Sequence, residues 1–158
     1  SGRRVPKWFP APGKANIDLP QTPVCYDVFN RKRLTETELD LQLDKGEARL
    51  YALMPDPIDS IQVAAVWQSP FLNVRSLVAD PQAAPVEAVI PLQVTIIRPD
   101  GRTFQTIYRA ASDGIYREAL RLGAAAQPGA WRLTVTEMLS GKTAAAQIER
   151  RLYSPGLN

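Results

Sequence analysis

The chain has no histidine, a single cysteine and no long apolar run. Without an imidazole, neither a Ser-His-Asp nor a Cys-His nucleophile arrangement can be assembled, and the commonest metal ligand is missing. With Cys25 alone, no intrachain disulfide can form. A membrane-crossing helix needs about 20 consecutive apolar residues, and no stretch approaches that. No signal-like segment opens the sequence, and it begins Ser1-Gly2 rather than Met, so it reads as a piece of a longer protein. Glycine is scarce beside proline, 9 against 14. Interior proline is poorly compatible with long helices, so short strands between Pro/Gly turns are expected.

The residues that are present describe an ordinary globular chain. A hydrophobic fraction of 45% with 22% charged residues is too apolar and too weakly charged for disorder. The net charge of +3, from 19 basic and 16 acidic residues, is a weak field. Basic residues cluster only at Arg3-Arg4, Arg31-Lys32-Arg33 and Arg150-Arg151. Nucleic-acid binding would want a concentrated stripe, so no nucleic-acid partner is expected.

Residues 1–23 carry Pro6, Pro10, Pro12, Pro20 and Pro23 with little periodicity, which reads as an arm or linker anchored by Trp8 and Phe9. Residues 24–55 read as a small three-stranded meander: Val24–Phe29, a polar turn at Asn30-Arg31-Lys32-Arg33, Leu39–Leu43 with alternating leucines, and Ala48–Leu53. Met54-Pro55-Asp56-Pro57 marks a boundary.

Residues 56–153 follow a regular strand–turn rhythm, with a tail at 154–158. Ile61, Val63, Ala65 and Trp67 share one strand face, as do Ile90, Leu92, Val94 and Ile96, then Phe104, Thr106 and Tyr108. Arg98-Pro99-Asp100-Gly101-Arg102 and Ser112-Asp113-Gly114 are hairpin signals. Ile115–Leu122 is read as a strand, with a short helix as the alternative. Trp131, Leu133 and Val135, then Ala144, Ala146, Ile148 and Leu152, complete the inward positions. About seven strands at this spacing predict an all-β, antiparallel β-sandwich, with the small three-stranded β segment before it.

Three segments, Ile96–Gly101, Asp113–Tyr116 and Pro128–Val135, occur in an order that resembles the immunoglobulin-like sandwich modules of large bacterial surface and secreted proteins, including the macroglobulin type. Tyr26–Pro55, ending Asp44-Lys45-Gly46-Glu47-Ala48-Arg49-Leu50-Tyr51-Ala52-Leu53, is similar to the C-terminal β-lobes of large glycoside hydrolases. These resemblances imply a non-catalytic structural or interaction module of an extracytoplasmic protein, or alternatively a carbohydrate-binding accessory domain. They rest on turn and core positions and bring no functional residues.

Site candidates are correspondingly few. The carboxylates Glu36, Glu38, Asp40, Asp44 and Glu47 read as a solvated strand face rather than a glycosidase pair. Trp67 and Trp131 fall in register with core residues. The candidate binding residues are Trp8 and Phe9 of the arm and Arg31, Lys32 and Arg33 of the turn. No catalytic residue, metal or cofactor is expected. The expected partners are other domains of the parent protein, a protein partner or a carbohydrate.

Overall fold

The computed structural model describes residues 13–18, 24–35, 38–123 and 126–151. Among them, twelve strands form four antiparallel sheets and there is no helix. The strands are β1 (Gly13–Asp18), β2 (Val24–Asp27), β3 (Lys32–Leu34), β4 (Glu38–Leu43), β5 (Tyr51–Met54), β6 (Ser60–Gln68), β7 (Phe71–Ala79), β8 (Ile90–Ile97), β9 (Thr103–Ala111), β10 (Ile115–Arg121), β11 (Gly129–Glu137) and β12 (Thr143–Arg150).

The last seven strands build the sandwich, one sheet in the order β10-β7-β6 and the other β12-β11-β8-β9. Successive side chains point to opposite faces, so each strand offers one row to the space between the sheets. Leu72, Val74 and Val78 face Ile90, Leu92, Val94 and Ile96 there, with Trp131, Leu133 and Val135, all nearly inaccessible to water. Ile115–Arg121 is strand, paired along its length with β7. The chain crosses between sheets at Ser112–Ile115, a two-residue turn closed by hydrogen bonds in both directions. Asp113 and Gly114 both take positive φ there (49° and 70°), as a type I′ turn requires.

One row breaks the expected pattern. Phe104 is half-buried, but Tyr108 is 63% exposed and Thr106 is exposed. The register shift between Ile96 and Ile97 explains it: Ile97 sits opposite Thr103, but Ile96 sits opposite Gln105, so β9 carries an extra residue. This bulge reverses the parity of the rest of the strand. Ile107, Arg109 and Ala111 then lie opposite Val94, Leu92 and Ile90, on the core side.

The three-stranded sheet also differs in its membership, being β3-β2-β5. The hairpin closes earlier than the residue pattern suggests. Asp27 accepts hydrogen bonds from the Asn30 backbone N–H (3.0 Å) and side-chain amide (2.7 Å), and Arg31 takes the left-handed conformation at φ 52°. Lys32 and Arg33 therefore belong to the returning strand rather than the turn. Leu39–Leu43 is strand but pairs with β1, which lies inside the segment read as an arm. Alternating leucines specify a half-buried strand without naming its partner.

The β3-β2-β5 sheet sits on one end of the sandwich and shares its core. Tyr26, 1% exposed, and Met54 belong to the same hydrophobic cluster as Ile58 and Leu139. The Tyr26 hydroxyl accepts the Ile58 backbone N–H at 2.7 Å, across the boundary prolines. Beside it, Glu137 continues the inward row of β11 yet is fully buried. Its carboxylate accepts backbone N–H bonds from Leu139 (3.0 Å), Ser140 (3.1 Å) and Lys142 (2.8 Å), together with the Ser140 hydroxyl. A buried carboxylate needs such partners, and here they organise the β11–β12 turn.

Two substitutions test the packing. Gly114 has no room for a side chain: an added Cβ would lie 2.8 Å from the Val78 carbonyl oxygen and the Val86 nitrogen. Gly46 has a similar φ, +79°, but open space around it. Gly114→Ala should cost roughly 3 kcal/mol or more and Gly46→Ala about 1 kcal/mol in urea denaturation. Equal costs would show that conformation alone, without the steric clash, sets the requirement. Glu137→Ala leaves those backbone donors buried without an acceptor and should cost about 3 kcal/mol by the same measurement.

Candidate interaction surfaces

The side chains at the two sides of the sandwich close the gaps that hydrogen bonds do not bridge. On one side β9 and β10 approach, and Arg109, turned inward by the bulge, reaches Glu118 on β10. The contact is bidentate, Nε to Oε2 at 2.6 Å and Nη2 to Oε1 at 3.0 Å, and Tyr116 donates its hydroxyl to Oε2 at 2.7 Å. The Arg109 hydrogen bonds hold the Glu118 carboxyl below its usual range. Burial, reinforced by the Glu118 carboxylate, pushes the Tyr116 phenol far up.

On the opposite side, where β12 meets β6, the Arg150 guanidinium lies 5.1 Å from the centre of Trp67. That ring begins a stack through the far end of the sandwich. Trp67 packs on Trp131 at 6.2 Å, Trp131 meets Phe104 edge-on at 5.6 Å, and Arg98 covers Phe104 at 5.0 Å. A hollow of about 350 Å³ opens beside the stack, lined by Arg98, Phe104, Leu122 and Gln127 among others. The indole N–H of Trp131 is used internally, donated to the Gln127 carbonyl at 2.8 Å. Trp131 is 1% exposed, and Trp67 is half-buried against it.

At the near end, the basic triplet is divided. Arg31 lies against the β11–β12 turn, its Cδ 3.4 Å from where a Cβ on Gly141 would stand. Arg33 sits opposite Tyr26 in the β2–β3 pair, and Lys32 opposite Asp27. All three side chains are exposed, Arg31 in the turn and Lys32 and Arg33 on β3. Trp8, Phe9 and Glu36 lie outside the described residues. Asp44 and Glu47 form a local loop contact, the Asp44 N–H donating to Glu47 at 3.0 Å, and Arg49 pairs with Glu47 at 2.5 Å. Cys25 is buried, and burial, with the Asp27 charge second, raises its thiol pKa, which makes it unreactive. Among the described residues no group of three or more His, Cys, Asp or Glu side chains is placed to hold a metal.

Two groups of exposed apolar residues lie at a sheet edge or beside a hollow, apart from the separate Val89 and Tyr108. The N-terminal sheet carries Phe29 (62% exposed), Leu50 (53%) and Leu53 (52%), and its outer strand β5 has no further strand partner among the described residues. The outward face of β10-β7-β6 carries Val66, 65% exposed, beside an open hollow of about 540 Å³. Residue spacing pointed to neither, because both depend on which strand lies next to which. No protein-family model matches this sequence, and no curated protein is significantly similar to it.

The Arg109–Glu118 contact predicts a pH signature. A carboxyl lowered on folding stabilises the protein above its unfolded value, near 4.5, and that contribution is lost as pH falls through the folded value. Glu118→Gln should therefore be less stable than wild type at pH 7, with the difference shrinking below about pH 4. Urea denaturation at both pH values checks it; a difference independent of pH would contradict the assignment. Tyr116 acts at the other extreme: its neutral form stabilises the fold up to about pH 10, and the contribution fades above that as the unfolded phenol ionises.

Proposed function

We infer that this chain is a non-catalytic structural or interaction module of a larger bacterial extracytoplasmic protein, docking a neighbouring domain of that protein through its N-terminal sheet. The observation that carries this is the open β5 edge flanked by exposed Leu50 and Leu53. An edge strand presents, on its open side, backbone donors and acceptors ready to accept another strand, and exposed leucines there add apolar area to the same contact. The sandwich supports a positional role: its core is continuous, and side-chain contacts at both sides, Arg109–Glu118 and Arg150–Trp67, join its two sheets.

A carbohydrate-binding accessory role has less support. Sugar platforms need an open aromatic face, whereas Trp131 is covered and Trp67 lies between Trp131 and the Arg150 guanidinium. A glycan array should be silent, and a signal lost on Trp67→Ala would favour the carbohydrate reading.

Hydrogen exchange tests the docking reading. Amides of residues 51–54 should exchange at least about ten-fold more slowly in the parent protein than in this chain alone, and Leu53→Lys should restore fast exchange. Equal rates in the two contexts would contradict it.

A further inference from the structure

The outward face of β10-β7-β6 is a second surface, built from different strands than the β5 edge. Its outward strand positions hold Arg75, Arg117 and Arg121 and no aspartate or glutamate. Arg75 and Arg117 are directly opposite each other on neighbouring strands. Like charges in that position repel and cost stability. Among the described residues neither guanidinium meets a carboxylate: the described ion pairs are Arg49–Glu47 and Arg109–Glu118. Glu118, next in sequence to Arg117, also borders the 540 Å³ hollow, but its carboxylate is held on the β9 side by Arg109 and Tyr116.

The surface around the pair is shaped as well as charged. Ala64 lies beside Arg75 in the same cross-strand row, and the adjoining row is Val66, Asn73 and Ala119. The two alanines leave the hollow of about 540 Å³, and a second one of about 270 Å³ continues it past Ala64 and Arg75 towards Leu77. Rows two residues apart along a strand are separated by about 6.8 Å, the repeat of alternate side chains in any extended chain.

We propose that this groove binds an extended acidic protein segment, in which a carboxylate meets the Arg75–Arg117 pair and an apolar side chain two residues away rests on Val66 and Ala119. Charge complementarity sets the partner's sign, and the period of the rows sets its conformation. A nucleic acid fits less well, because the hollow has an aliphatic floor without stacking aromatics and only three arginines face outward.

The test uses isotope-labelled protein and four probes: a ten-residue peptide alternating glutamate and valine, its lysine–valine counterpart, free glutamate, and an oligouridylate. The acidic peptide should shift amide resonances of residues 64–66, 73–75 and 117–119, with binding weakened by salt. Arg75→Gln and Arg117→Gln should each weaken it about two- to five-fold. Each variant should also match or exceed the wild-type Tm, since each relieves a like-charge pair. The proposal fails if the lysine peptide binds equally, if the shifts fall elsewhere or are absent, if free glutamate reproduces them, or if oligouridylate binds more tightly. It also fails if the double variant binds as wild type, or if either substitution lowers Tm by several degrees, which would reveal a structural role for the arginine.

Discussion

Side-chain parity governs this molecule. Each sandwich strand turns alternate residues towards one shared interior, so a single inserted residue exchanges the fates of all residues beyond it. The bulge in β9 does this: without it Tyr108 would face the core and Arg109 the solvent. With it, Arg109 projects on the side where β9 and β10 approach, partly exposed and within reach of Glu118. Beyond the hydrogen-bonded Ser112–Ile115 turn, this partly exposed, charge-assisted contact adds a second tie between the two sheets on that side.

The same parity produces the polar residues of the interior. Glu137 follows Trp131, Leu133 and Val135 on the inward row, and its burial is tolerable because the turn folds its own N–H groups around the carboxylate. Tyr26 inserts from the N-terminal sheet nearby and takes the Ile58 N–H, a donor left over where the boundary prolines end the strand ladder. The small sheet is thus fastened to the sandwich by both apolar burial and the satisfaction of a buried backbone group. Such a sheet buries too little surface to be stable alone.

Most of the sandwich was legible in the residues. The alternating rows of β6, β8, β11 and β12 and the turns at Pro99-Asp100-Gly101 and Asp113-Gly114 each combine a local conformational demand with a hydrophobic period. Three features were not legible, for separate reasons. A bulge leaves no mark in composition, so the residues place Phe104, Thr106 and Tyr108 on one face, whereas the extra residue parts half-buried Phe104 from exposed Thr106 and Tyr108. Leu39–Leu43 announces a strand but not that its partner is Gly13–Asp18. Arg75 and Arg117 are 42 positions apart and become neighbours only through the pairing of β7 with β10. Of the candidate binding residues, Lys32 and Arg33 lie on β3 rather than in the turn, because the hairpin is closed early by the side-chain hydrogen bonds between Asp27 and Asn30.

A loosely tethered N-terminal sheet could not hold a docking edge in a fixed place, so docking through β5 requires that sheet to be part of the folded body. Cys25, buried in that sheet, and Trp131, buried in the sandwich, provide two independent reporters. The direct measurement is denaturant unfolding of a Trp8→Phe variant, whose remaining indoles Trp67 and Trp131 both belong to the sandwich, followed in parallel by thiol labelling of Cys25 and by tryptophan fluorescence. A shared core predicts that the two transitions coincide, with Cys25 protected until the sandwich unfolds. Labelling of Cys25 at denaturant concentrations where Trp131 remains buried would contradict it.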